Sequence, residues 1–175
     1  LEITLSEESQ RAIFDPEFDA KKVNRADGVD LLLASAVNFY APDITQAEAE
    51  AFYATKVDAD PDRPVSHGLN SRLSRDENGE IYEEVFSARG RYANSIKEII
   101  GHLEKAKDVA ENEDQAAALK LLIEYYETGD LTKWDDYNIA WFKTTGGDVD
   151  YINGFVEVYN DPMGYRGSYE TVVQV

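Results

Sequence analysis

The chain has 175 residues, and its 43% hydrophobic and 11% aromatic content is enough to bury a core and excludes global disorder. Seventeen Lys and Arg against thirty-five Asp and Glu give a net charge of −18, which excludes nucleic acid and anionic membrane surfaces as expected partners. The absence of cysteine excludes disulfides and thiol chemistry and fits a reducing compartment, so we predict a cytoplasmic protein.

The first third of the chain predicts helices. Ser6 precedes acidic residues suited to a first helical turn, and the apolar run at residues 27–40 predicts a mostly buried helix. Thr45, with Glu48 three residues later, forms the pattern of a capping box at the start of another helix. Residues 59–68 contain two prolines and predict a stiff linker.

The middle of the chain predicts a hairpin followed by three helices. Asn78 and Gly79 lie between two strand-like runs within residues 69–86. Beyond them, apolar residues recur at helical spacing in three segments. Gly129 follows the second segment and is placed to cap the carboxyl end of that helix. We expect these stripes to form the core: Ile96, Ile99, Ile100, Leu103, Ala110; Ala116, Leu119, Leu122, Ile123, Tyr126; Leu131, Trp134, Tyr137, Trp141.

The last twenty-five residues predict a second hairpin with a long, structured loop at residues 160–167. Period-two alternation divides the first run into two sides. The apolar side carries Ile152, Gly154, Val156 and Val158, and the more polar side carries Tyr151, Asn153, Phe155, Glu157 and Tyr159. Pairing with the second run can bring Glu170 to the same face as these two residues. We therefore predict a binding surface formed by two carboxylates and a phenol.

The predicted fold is α+β, with several packed helices beside a small antiparallel sheet made of the two hairpins. We expect an N-terminal helical part at residues 1–58, the linker at 59–68, and the hairpin, three-helix segment and C-terminal hairpin at 69–175. The chain begins without an initiator methionine and ends at Val175 within a strand pattern, so we expect a piece of a larger protein.

Few residues in the chain suggest catalysis. His67 and His102 are too far apart in sequence for a paired metal site, and neither a nucleophile elbow nor a phosphate-binding loop is present. Glu157 and Glu170 could act as an acid and base pair on a glycosidic bond, or could simply be solvated on an open sheet face. Tyr159 adds a phenol that can donate to an oxygen gaining negative charge.

The segment GFVEVYNDPMGYRGSYE, residues 154–170, closely resembles the signature of the dipeptidyl peptidase III family. Members are zinc exopeptidases that remove dipeptides from peptide amino termini. The resemblance rests on Glu-x-Tyr-x-Asp-Pro, a short Gly-x-Arg-Gly turn and a following aromatic-Glu pair. It extends through residues 128–143 and, more loosely, through VDLLLASAVNFYAPDIT and HGLNSRL, so it covers nearly the whole chain and is similar to bacterial members.

The resemblance implies roles for the three residues of the predicted surface. Glu157 matches the glutamate that holds the substrate's amino group, and Tyr159 matches the tyrosine that hydrogen-bonds the scissile carbonyl oxygen. Glu170 matches an acidic residue near the same subsites. The family's zinc motif, His-Glu-x-x-Gly-His, does not occur in these 175 residues, so the resemblance implies that zinc and the general base come from elsewhere in the parent enzyme.

By this resemblance, the chain is most of the barrel-bearing, substrate-binding lobe of a two-lobed dipeptidyl peptidase, and its sheet is part of a β-barrel. The expected partners are short peptides with a free amino terminus and the remaining zinc-binding lobe of the same protein. We expect no cofactor in the fragment itself and no hydrolysis by the fragment alone. The alternative is a non-catalytic acidic module that binds peptides or other partners.

Overall fold

The described residues fold into helices and β-hairpins, which confirms the predicted α+β class. The computed structural model describes residues 5–15, 18 and 22–175. In chain order the elements are α1 (Glu7–Phe14), α2 (Gln46–Ala54), β1 (Ser71–Arg75), β2 (Ile81–Val85), α3 (Ala93–Asp108), α4 (Glu113–Thr128), α5 (Leu131–Trp141), β3 (Asp150–Glu157) and β4 (Ser168–Gln174).

The two hairpins form separate sheets. β1 pairs with β2 and β3 pairs with β4, each antiparallel, so the described residues contain two two-stranded sheets and no closed barrel. The sequence predicts one sheet instead. The difference arises because the hairpins meet through side chains, such as the rings of Phe86 and Phe155 with centroids 5.3 Å apart. A backbone hydrogen bond from Gly167 N–H to Leu69 O (2.8 Å) also joins them.

Local capping signals are confirmed at several helix ends. Ser6 caps α1, and the Thr45 and Glu48 side chains each accept the other's backbone N–H at the start of α2, at 3.3 and 3.0 Å. Gly129 ends α4 in the left-handed conformation with a φ of 75°. A glycine adopts this conformation without the steric cost that a Cβ would add.

Residues 27–40 form turns, bends and isolated bridges instead of a helix, so the predicted buried helix is wrong. The Asp30 carboxylate accepts hydrogen bonds from Leu32 and Leu33 N–H, both at 3.0 Å, and from Gln46 N–H at 2.9 Å. An aspartate that binds nearby backbone donors offers the chain an alternative to helical hydrogen bonding. The apolar run therefore contributes to a core without becoming a helix.

The larger core lies where α3, α4 and α5 pack on the hairpins. The predicted positions of the three apolar stripes belong to this core or pack against it, except Ala116, in whose place Ala118 is buried in α4. The helices α3 and α4 have 16 residues each, and no described helix is long and apolar enough to cross a membrane. The buried members of this core are Leu69, Phe86, Ile96, Leu103, Ala118, Leu119, Leu122, Ile123, Tyr125, Tyr126, Trp134, Tyr137 and Phe155.

A second core connects the N-terminal part to both hairpins. Tyr40 forms a parallel bridge with Leu73 of β1, and Met163 and Tyr165 from the loop between β3 and β4 pack against the same cluster. This core includes residues from both sides of the predicted 59–68 linker, and the proposed division of the chain stays a prediction. Its buried members are Leu32, Tyr40, Ile44, Ala49, Tyr53 and Leu73.

Candidate functional site

The structure brings Glu157, Tyr159 and Glu170 together at the loop end of the terminal hairpin. Glu157 is the exposed last residue of β3, and Tyr159 follows it with 60% of its surface exposed. The Tyr159 hydroxyl donates to Glu170 Oε1 on β4 at 3.3 Å. Two carboxylates and a phenol are therefore accessible on one face, which we call the acidic face.

A β-bulge at Val156 explains why these residues share a face. Gly154 pairs with Glu170, and Glu157 pairs with Ser168, so Val156 is an extra residue in β3. Residues paired across an antiparallel ladder point to the same side, and strict alternation would send Glu157 to the side opposite Glu170. The extra residue reverses the alternation and returns Glu157 to the side of Glu170.

The predicted division of β3 into an inner and an outer side is wrong around the bulge. Phe155 is buried and Val156 packs partly buried against the same core, although strict alternation places them on opposite sides. Ile152, predicted on the apolar side, is 43% exposed. The adjacent apolar pair Phe155 and Val156, which breaks period two, was the signal in the sequence for this irregularity.

The two carboxylates raise the pKa of the Tyr159 phenol. The charge of Glu170 is the main reason that the pKa of Tyr159 lies above its usual value, and the charge of Glu157 contributes in the same direction. A nearby negative charge disfavours the phenolate. A phenol is protonated at neutral pH even at its ordinary pKa, so Tyr159 can donate a hydrogen bond beside two acceptors.

The loop between β3 and β4 is ordered by Asp161. Its carboxylate accepts the backbone N–H groups of Met163 (3.2 Å), Tyr165 (2.9 Å) and Arg166 (2.9 Å). The sequence identifies Asp161 as a turn former but gives it no further task. Its burial, and the hydrogen bonds that it accepts from the Tyr40 hydroxyl 121 positions earlier, are visible only in the folded chain.

A cavity of about 670 Å³ lies on the other side of the hairpin, between α3 and the β3–β4 sheet. Its lining is mostly apolar and includes Tyr151, Tyr169 and His102. Tyr169 and Glu170 are neighbours in β4 and point to opposite sides of the sheet. This cavity is therefore separate from the acidic face, whose three residues do not line it.

The histidines and acidic residues that the structure describes do not form a metal site. His67 Nε2 lies 2.9 Å from Asp58 Oδ1, and His102 lies on α3 at the cavity. Within residues 5–15, 18 and 22–175, no three His, Cys, Asp or Glu side chains could jointly hold a metal ion. The described residues therefore do not fit a zinc ion.

The family model described as Peptidase family M49 matches residues 21–175. The chain therefore belongs to this family of metallopeptidases, and the predicted resemblance is confirmed. Dipeptidyl peptidase 3 of Mus musculus is 30% identical over 149 residues, which are 84% of this chain and 20% of the relative. The protein of the same name from Homo sapiens is 36% identical over 87 residues, 50% of this chain and 12% of the relative.

Solved structures share the fold. Dipeptidyl-peptidase III from Corallococcus sp. strain EGB has a TM-score of 0.62 at 20% identity, covering 78% of this chain and 24% of that chain. DPP III from Caldithrix abyssi has a TM-score of 0.62 at 21% identity, covering 87% of this chain and 28% of that chain. The chain thus spans 12% to 20% of the curated relatives named above and about a quarter of these structures.

Proposed function

We propose that this chain is the substrate-binding segment of a dipeptidyl peptidase of the M49 family, and that the acidic face receives the amino-terminal end of a peptide. The observation that carries the proposal is the exposed Glu157 carboxylate beside the exposed Tyr159 phenol at the end of one hairpin. The relatives' shared name, dipeptidyl peptidase 3, supports the class of substrate.

Glu157 is proposed to hold the ammonium group of the substrate. A carboxylate and an ammonium form a charge-assisted hydrogen bond, which is about twice as strong as a neutral one. The net charge of −18 favours the approach of a cationic terminus over an anionic one. Glu170 lies at the same face and is proposed to contribute to the same binding region.

Tyr159 is proposed to donate to the carbonyl oxygen of the peptide bond that is cleaved. A phenol already placed where negative charge develops stabilises the transition state without reorganising. The phenol is protonated at neutral pH, so its hydrogen is available for this bond. The general base and the zinc that the family implies are proposed to come from the remaining lobe of the full-length protein.

The experiment is a comparison of Tyr159→Phe with the parent enzyme in the full-length protein that contains this chain. We expect kcat for dipeptide release to fall by about 10²–10³-fold, the typical cost of losing one donor to an oxyanion. The thermal midpoint should hardly change, because Tyr159 is 60% exposed.

Tyr82→Phe is the matched control, since Tyr82 is a 45% exposed tyrosine of β2 in the other sheet. We expect it to retain the parent's kcat. An unchanged kcat in Tyr159→Phe, with a folded and stable protein, would remove Tyr159 from the reaction and contradict the proposal.

A further inference from the structure

A cluster of polar side chains is buried directly behind the acidic face. Asp161 and Arg166, both in the loop between β3 and β4, are fully buried, and Tyr40 and Tyr53 are 4% and 8% exposed. Burying charged groups costs free energy unless hydrogen bonds compensate them. The hydrogen bonds of Asp161 and Arg166 therefore show which parts of the chain the cluster connects.

Tyr40 connects the two buried charges. Arg166 Nη1 donates to the Tyr40 hydroxyl at 3.0 Å, and that hydroxyl donates to the Asp161 carboxylate at 2.9 and 3.0 Å. Arg166 also lies over the Tyr40 ring, with Cζ 4.3 Å from the centroid. Burial raises the pKa of Tyr40 further above neutral pH, so its hydroxyl stays protonated and donates its hydrogen bonds to Asp161.

Tyr53 extends the connection to the other hairpin. Arg166 Nη2 donates to the Tyr53 hydroxyl, which donates to Glu83 Oε1 of β2 at 2.8 Å. Glu83 also accepts from Ser71 of β1 at 2.9 Å. The guanidinium thus binds Tyr40 of the N-terminal segment and Tyr53 of α2, and Tyr53 connects it to the first hairpin.

The cluster acts on the backbone that carries Tyr159. Asp161 lies two residues after Tyr159, and its N–H donates to Val158 O at 3.0 Å, so a tight turn encloses Tyr159. On the far side of the loop, Gly167 N–H donates to Leu69 O at 2.8 Å and β4 begins at Ser168. A displacement of Asp161 would therefore move Tyr159 relative to Glu170.

We propose that Tyr40 and Arg166 are positioning residues, which fix Asp161 and through it set where the Tyr159 hydroxyl lies on the acidic face. This inference rests on the proposed function, because it assigns to the cluster the placement of the donor used there. A closely packed interior transmits a local change instead of absorbing it. The hydroxyl of Tyr40, contributed from a distant part of the sequence, is the connecting group.

Tyr40→Phe in the full-length protein tests the inference, because it removes the connecting hydroxyl and keeps the ring. We expect kcat to fall about tenfold, within the range that a small misplacement of reacting groups costs. In the Tyr159→Phe background, the same substitution should lower kcat less than twofold, since the group that it positions is already absent.

Tyr126→Phe is the control for stability. Tyr126 is also fully buried, and its hydroxyl makes a hydrogen bond of 2.5 Å to Asn153, on the cavity side of the hairpin. We expect it to lower the thermal midpoint without lowering kcat. If Tyr40→Phe lowers kcat equally in the presence and absence of the Tyr159 hydroxyl, Tyr40 has only a structural role and the inference is wrong.

A second readout does not depend on activity. With 3-fluorotyrosine at position 159, the ¹⁹F pH titration should shift to lower pH in Tyr40→Phe, because Tyr159 moves away from Glu170. An unchanged titration contradicts the inference even if Tyr159→Phe proves active and the proposed function fails. Should Tyr40→Phe not fold, Tyr53→Phe removes the other hydroxyl contacted by Arg166 and is tested in the same way.

Discussion

The pair formed by Tyr159 and Glu170 shows how single residues give the acidic face its chemistry. The phenol donates to the carboxylate at 3.3 Å. In the proposed function, the substrate's carbonyl oxygen would compete with Glu170 for that hydrogen, and the exposed position of Tyr159 leaves room for this exchange. Glu170 therefore influences both where the Tyr159 hydroxyl points and the pKa of that hydroxyl.

Glu170→Gln is predicted to lower the pKa of Tyr159 towards 10.0, its ordinary value. The sign follows because removing a negative neighbour makes the phenolate less unfavourable. The measurement is the ¹⁹F pH titration of 3-fluorotyrosine at position 159, comparing the parent with Glu170→Gln. An equal pKa in the parent and in Glu170→Gln would show that Glu170 does not face the phenol in solution.

The charged groups behind this face were the part that the sequence could least predict. The turn formers of residues 160–167 are evident from residue type, because Asn, Asp, Pro and Gly act locally. The partners of Arg166 are 126 and 113 positions away, in Tyr40 and Tyr53. Nothing in a local pattern distinguishes such an arginine from a solvated one.

At the scale of elements, packing between α5 and β3 supports the acidic face. A Cβ built on Gly154 would come within 2.3 Å of the Trp134 ring of α5. Gly154 is also the residue that pairs with Glu170, two positions before the bulge. The close approach of helix and strand at this glycine therefore fixes the hairpin against the larger core.

Gly154→Ala is predicted to lower the free energy of unfolding by about 1–3 kcal/mol, the usual cost of overpacking a core. Gly101→Ala is the control, since Gly101 lies within α3 and a Cβ there would meet nothing within 4 Å. That substitution should stabilise the protein by about 0.5–1 kcal/mol. Urea unfolding measures both, and equal effects would contradict the packing described.

The elements that the sequence predicts correctly are those with strong local signals. Helices α3 to α5 follow from apolar periodicity, and the capping box at Thr45 marks α2. The helix predicted at residues 27–40 does not form, because the Asp30 carboxylate binds backbone N–H groups and the segment packs beside β1. The bulge was missed because the strand register is set by pairing across two strands, and its trace along one strand is only a local pair, the adjacent apolar residues Phe155 and Val156.

At the scale of the whole molecule, the N-terminal segment and both hairpins meet in one buried polar cluster behind the acidic face. The grouping of Glu157, Tyr159 and Glu170 depends on this arrangement as well as on the terminal hairpin. The surrounding charge of −18 adds a long-range attraction for cationic groups. The central claim is that this face selects the amino terminus of a peptide.

The most direct test is the affinity of the full-length protein for a peptide with a free amino terminus and for its N-acetylated form. The second peptide bond is N-methylated to prevent cleavage, and calorimetry gives both dissociation constants. We expect the parent to prefer the free amino terminus by about 10–100-fold, the value of a hydrogen bond between charged groups.

Glu157→Gln should abolish most of that preference, whereas Glu80→Gln, which removes the same charge from an exposed position in the first hairpin, should retain it. This comparison separates a contact at Glu157 from the general attraction of an acidic surface. If Glu157→Gln prefers the free amino terminus as strongly as the parent does, the acidic face does not bind the peptide's amino group and the central claim is contradicted.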